Sequence, residues 1–225
     1  GRRAGDPDAL IAEFARDRIL HPLERAGIVP TEVMPVHVSP AHSRRRAAMR
    51  ATRTKGQVRV GFNAEGAHSL VDIAECPVLR PELFELVAPL RQILGPHLAE
   101  RSAIGITMTL TDQGVDLLLS NLQANSLPVI EGLTGFARET GLARLSLEGP
   151  MGVETLVERA EPSIRMGGVT VTLAPAAFLQ ATADGEAALV EAVTLIVGSA
   201  GQLADKYDKA YLTRLVKVLE IAIML

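Results

Sequence analysis

The stretch Ser43–Phe62, SRRRAAMRATRTKGQVRVGF, most constrains what this chain can fold into. It carries Arg44, Arg45, Arg46, Arg50, Arg53, Lys55 and Arg59 and no acid, in a chain whose formal net charge is -3. Charge concentrated in this way locates a partner better than net charge does. Ala47, Ala48, Met49, Val58, Val60 and Phe62 interrupt the charges, as a folded strand pair requires and a solvated tail does not. A strand over Arg45–Thr54 alternates with period two. It puts Arg46, Ala48 and Arg50 on one face, with Arg44 just before them, and Arg45, Ala47, Met49 and Arg53 on the other. Two readings of the charged face compete: a solvated face whose charges blunt a sheet edge, or a surface that meets phosphate. The missing acids favour phosphate, because solvated faces usually mix both signs.

The rest of the chain reads as α+β. A helix is expected over Asp8–Ala26, closed by Gly27 and bent by Pro22, followed by an extended, Pro-punctuated connector from Ile28 to Pro40. Arg45–Thr54, Gln57–Phe62 and Leu70–Ile73 form a β-meander around the breaks at Lys55-Gly56 and Asn63–Ala67. Pro81–Leu94 is expected as one helix stopped by Gly95-Pro96. Ile104–Leu110 and Val115–Ser120 alternate as a half-buried hairpin. A helix over Leu127–Thr140 leads to strands at Ala143–Leu147, Val153–Arg159 and Val169–Leu173, and a further helix covers Ala183–Val197 and ends at Gly198. The expected architecture is a central mixed, largely antiparallel sheet with helices on one face. Asp205–Leu225 reads as an amphipathic helix with an apolar end, which usually indicates a partner or a continuation.

Composition narrows the function classes. An apolar fraction of 48% with 22% charged residues suits a soluble globular chain. With no Trp, two Tyr and five Phe, base-stacking platforms are not advertised. No stretch is long and apolar enough for a membrane helix, and no signal peptide is evident at the N-terminus. The single cysteine excludes an internal disulfide framework and fits a cytoplasmic location. Cys76, before Pro77, reads from its neighbours as a small buried hydrophobe. His42, His68 and His97 are too irregularly spaced for a metal site, and a His68–Asp72 pair is one of many that a turn could bring together. Gln180 lies between a strand and a helix among small residues. Its amide could bond a ligand's polar edge, or the segment could simply be a helix cap led by Thr182 and Asp184. No P-loop, dinucleotide fingerprint or Ser-His-Asp order is present.

Taken in order, SRRRAAMRATRTKGQVRVGFN, HSLVDIAECPVLRPELFELVAPLRQIL, GLARLSLEG and VTLAPAAFLQATADGEAALVEAV resemble the class I S-adenosylmethionine-dependent RNA (uracil-5-)-methyltransferases, in the branch that modifies 23S ribosomal RNA. The resemblance covers residues 10–204. It implies residues 1–40 as an N-terminal helix and connector and 41–160 as a central α+β RNA-binding domain. Residues 161–205 would begin a Rossmann-like methyltransferase domain, and 206–225 would be an atypical C-terminal helix. By resemblance Cys76 is one thiolate of a 4Fe–4S cluster whose three other cysteines lie outside this chain, and Gln180 contacts S-adenosylmethionine. A strand starting near Gln202–Asp205 would lead into the cofactor loop, but Lys206-Tyr207-Asp208-Lys209 departs from the family there.

The chemistry that the resemblance implies for a full-length enzyme is covalent. A thiolate adds to C6 of uracil, C5 takes the methyl group, and a base removes the C5 proton. The family's nucleophilic cysteine, base and cofactor loop find no match in this chain, so a truncated, inactive piece is expected. Its site residues would be Arg44, Arg46, Arg50, Arg53 and Lys55 for RNA, Gln180 for cofactor and Cys76 for metal. Two alternatives stand beside this: an RNA-binding module without catalysis, and an interaction protein docking through its C-terminal helix.

Overall fold

The computed structural model describes residues 7–30, 32–64, 70–124 and 126–203, with 196–203 described by backbone alone. The described residues group into two compact units, 39–183 and 7–38 with 184–203.

The larger unit is built on a seven-stranded sheet. Strand β1 (Arg46–Thr54) turns through Lys55-Gly56 into β2 (Gln57–Asn63). Both turn residues have positive φ, 52° and 77°, the geometry that lets a two-residue hairpin follow the natural twist of its strands. Strand β3 (Leu70–Asp72) closes the meander at one edge. Strands β4 (Ala103–Thr111) and β5 (Gly114–Ser120) form the second hairpin, β6 (Arg144–Gly149) runs parallel to β5, and β7 (Gly152–Glu158) returns antiparallel. The order is β3-β2-β1-β4-β5-β6-β7.

Alternation decides which face is covered. Ala47, Met49 and Ala51 of β1 point into the core with Val60, Ile104, Ile106, Met108, Leu117, Leu119 and Leu145. Against them pack α2 (Pro81–Phe84), α3 (Val87–Leu94) and α4 (Leu127–Glu139), through Leu83, Leu90, Leu94, Leu133 and Phe136. The single helix expected over Pro81–Leu94 is broken at Glu85-Leu86. Pro89 has no N–H to donate to the Glu85 carbonyl, and its ring crowds that carbonyl. The chain makes one short turn, restarts, and finishes as a 3₁₀ turn over Gly95–His97. Gly61 is buried on β2 because a Cβ there would lie 1.8 Å from the Val71 carbonyl oxygen of β3. Only a residue without a side chain allows that strand to close in.

The second face of the sheet is partly covered at one end. A small hairpin, β8 (Ser163–Met166) with β9 (Val169–Thr172), and the segment after it pack a satellite core of Ile164, Leu173 and Leu179. β8 is absent from the sequence reading. Four residues after Pro162, with Arg165 and Met166 exposed, carry too little alternation to show. Beneath, Asp116 and Arg144 stand opposite each other on β5 and β6. Both are buried. Arg144 Nε and Nη2 each donate to an Asp116 carboxylate oxygen at 2.9 Å, and Nη2 also donates to the Leu173 carbonyl at 2.9 Å.

In the smaller unit, α1 (Pro7–Arg25) passes Pro22 and ends at Gly27, φ 69°, whose αL conformation lets the Ile28 N–H reach the Leu23 carbonyl. The His37 ring bonds the Asp184 carboxylate at 2.7 Å in the first turn of α5 (Ala183–Leu203). That helix runs past the stop expected at Gly198 and occupies Gln202 and Leu203, where a strand start was expected. Single glycines in a run of Ala, Leu and Val cost a helix only about 1 kcal/mol each, too little to end it. The helix expected over Asp205–Leu225, and His68, lie outside the described residues.

Replacing Asp116 with Ala removes the bidentate partner of the buried Arg144 guanidinium and leaves it only the Leu173 carbonyl and a longer ion pair with Glu158 at 3.7 Å. It is expected to lower the unfolding free energy by about 3–5 kcal/mol, measured by urea denaturation. A loss below about 1 kcal/mol would show that water reaches the site.

Candidate functional site

The basic run enters the fold where several distant stretches of chain meet. Before β1 begins, the Arg44 N–H donates to Val78 O at 2.9 Å and the Arg80 N–H donates to Arg44 O at 2.9 Å. Arg44 also forms isolated bridges with Leu79 and Thr182. The side chain of Arg44 is exposed, and its Nε donates to Arg46 O at 3.1 Å.

Along β1 the side chains alternate as a half-buried strand dictates. Arg46 and Arg50 stand on the face away from the helices, with exposed Ala48 between them. Arg50 is paired with Gly61 on β2 and with Gly105 on β4. Its two strand neighbours carry no side chain, so no bulky group stands beside its exposed guanidinium on β2 or β4, although the Val71 carbonyl oxygen and the Ser120 hydroxyl occupy the places of the missing Cβ atoms. Arg59, opposite Thr52, adds a further positive charge to this face. Neither β1 nor β2 contains an acid. Arg46 lies 6.0 Å from the ring centre of Phe178, a cation–π distance, and Phe178 is exposed.

Arg53 and Lys55 are placed differently. Arg53 is on the helix-facing side near the end of β1. Its Nη2 donates to the Gly95 carbonyl at 2.7 Å, at the C-terminal end of α3, and Nη1 donates to Gly56 O at 3.4 Å. That guanidinium is committed to helix-end carbonyls, where a cation is favourable. Lys55 sits exposed at the tip of the β1–β2 turn. The Glu100 carboxylate accepts the backbone N–H groups of Lys55 at 3.1 Å and Gly56 at 2.6 Å, which fixes the turn.

Gln180 is half-buried in the stretch between β9 and α5, and its backbone carbonyl accepts Arg45 Nε at 3.3 Å. Its side-chain amide has no hydrogen-bond partner among the described residues, which leaves donor and acceptor free for a ligand. Cys76 is half-buried and packs against the main core. It lies one residue before the Pro77–Leu79 segment that pairs with His42 and Arg44. A 4Fe–4S cluster needs four ligands, usually thiolates, and the chain has one cysteine. The described residues also hold no cluster of three or more His, Cys, Asp or Glu side chains that could bind a metal, so the residues present do not fit that group. Nearby, Arg80 bonds Glu82 and holds its carboxyl below the usual carboxylate range.

The structure thus brings Arg44, Arg46 and Arg50 together with Arg59, and joins the start of β1 to the Gln180 segment. Arg53 is turned to the other face. Sequence reasoning missed the anchoring role of Arg45, the capping role of Glu100 and the flanking glycines of Arg50. Each depends on contacts between residues distant in sequence, and an isolated Glu or Gly carries no local signal for them.

No family model matches the chain. An uncharacterized RNA methyltransferase of Zymomonas mobilis is 42% identical over 195 residues, covering 87% of this chain and 49% of the relative. An uncharacterized RNA methyltransferase of Rhizobium meliloti is 34% identical over 200 residues, covering 89% and 47%. RlmD of Photorhabdus laumondii, a 23S rRNA (uracil(1939)-C(5))-methyltransferase, is 29% identical over 163 residues, covering 71% and 37%. By sequence the chain is a homologue of the RNA methyltransferases, and it spans about half the length of the curated relatives it matches. No helix among the described residues is long and apolar enough to cross a membrane.

Replacing Glu100 with Ala removes the acceptor for two turn amides. The expected cost is about 1–2 kcal/mol, with faster amide exchange at Lys55 and Gly56 by NMR and little change at β5. Unchanged exchange at both amides would show that water replaces the carboxylate.

Proposed function

We propose that this chain is part of an RNA (uracil-5-)-methyltransferase acting on 23S ribosomal RNA. In this reading residues 39–183 dock RNA, and Gln180 contributes one contact to S-adenosylmethionine. The observation that carries the reading is the outer face of β1 and β2, where Arg46, Arg50 and Arg59 stand without an acid around a glycine-flanked centre. Phosphate contacts of this kind position RNA without reading its sequence. The family names of the relatives supply the substrate class, and RlmD supplies the uridine and the 23S target by analogy.

Within the same proposal, the cofactor donates the methyl group when bound, and this chain's share is to hold the RNA and present the free Gln180 amide. The chain has no cysteine besides Cys76 to serve as nucleophile, so methyl transfer depends on residues beyond those present here. Any iron–sulfur role of Cys76 likewise requires thiolates from outside the chain. The location that fits this substrate is the cytoplasm.

Three measurements test this. Changing Arg44, Arg46 and Arg50 to Ala should weaken binding to a uridine-containing ribosomal RNA hairpin. The slope of log affinity against log salt should fall by about 1 per lost phosphate contact. Unchanged affinity and slope would remove the interface. Saturation-transfer NMR with S-adenosylmethionine should give a signal that Gln180→Ala weakens. RNA binding without any cofactor signal would instead favour an RNA-binding module without a part in catalysis. The purified chain should form no 5-methyluridine, and detecting it would overturn the incomplete-enzyme reading.

A further inference from the structure

Arg45 has no task in the reading above, yet it sits where the basic strand meets the Gln180 turn. Its backbone N–H donates to Ala181 O at 2.8 Å and its Nε donates to Gln180 O at 3.3 Å. Its own carbonyl accepts the Leu110 N–H at 2.8 Å, which ties it to β4. The residues on either side grip the same turn. Arg44 bridges to Thr182, and Arg46 lies over Phe178. Ser39 Oγ and Thr182 Oγ1 are hydrogen-bonded at 2.8 Å. The far end of the segment is held by Arg144 on Leu173 O.

The turn is therefore anchored at both ends to the sheet, and its C-terminal anchor is made by three consecutive arginines. Alternation divides their work. Arg44 and Arg46 have the parity that faces a polyanion, while Arg45 turns to the carbonyls of Gln180 and Ala181. A phosphate bound by the first and third restrains the backbone of the second. We propose that Arg45 is a positioning residue that couples RNA docking to the Gln180 turn, so that RNA orders the residue that meets the cofactor. This rests on the reading that the β1 face binds RNA and that Gln180 meets S-adenosylmethionine. The coupling is thermodynamic: a ligand that binds the closed turn better than the open one shifts the population toward it.

Hydrogen exchange on the full chain, with and without a uridine-containing ribosomal RNA hairpin, tests the coupling. In the wild type, RNA is expected to slow exchange across residues 177–183 by roughly fivefold or more, a shift in local opening. Arg45→Met should speed exchange there without RNA and abolish the RNA-dependent slowing, with RNA affinity held within about twofold. Arg45→Lys, which keeps the charge but loses the guanidinium geometry, should restore part of the slowing. Exchange in β5 serves as the folding control. A purely structural anchor would not respond to RNA. RNA binding with no change over residues 177–183 in the wild type overturns the proposal by itself, whatever the variants do. Full slowing retained in Arg45→Met overturns it too. Absence of RNA binding by the wild type overturns the docking reading together with it, and the affinity measurement tells that case apart.

Discussion

The register of β1 between β2 and β4 is the constraint on which the larger unit depends. Ala47, Met49 and Ala51 are small or flexible enough to lie under α3 and α4, and they are buried. A shift of one residue would drive Arg46 and Arg50 into the core and expose the apolar set, because the side-chain period of a strand is two. Moving even one unpaired charge inside would cost several kcal/mol. The same register that forms the core therefore also assembles the basic face, and it places Arg50 between Gly61 and Gly105.

Two ionic devices secure what the register leaves open. The buried Asp116–Arg144 pair reaches the Leu173 carbonyl and fastens the segment after β9 to the sheet. Glu100 closes the β1–β2 turn by accepting two amides. The first acts where little water competes, so removing one partner is costly. The second is exposed, and its value lies in holding the Lys55 tip in one geometry. Around them, Arg44 and Arg45 join three stretches of chain, so that the start of the basic strand is structural as well as charged.

Much of the element pattern was legible in the sequence. The hairpin at Lys55-Gly56, the β4–β5 alternation and the apolar stripes of α3 and α4 are local signals, and the strands and helices stand close to where periodicity put them. The break at Glu85 was also present, in Pro89, but it was hidden by apolar spacing that continued across it. β8 and the run of α5 through Gly198 were not legible, because short or weakly punctuated segments take their state from surroundings and not from propensity.

For the candidate site, the sequence by itself determined that the charges cluster, that no acid balances them, and which arginines share parity along a strand. Those are properties of neighbours in the chain. The tertiary structure alone decided what each arginine does. Arg53 closes a helix end, Arg45 holds the Gln180 carbonyl, Arg46 lies over Phe178, and Arg50 stands between two glycines. A guanidinium has the same charge in all four positions. Only the strand pairing and the packing of distant segments determine which carbonyl, ring or glycine lies beside it.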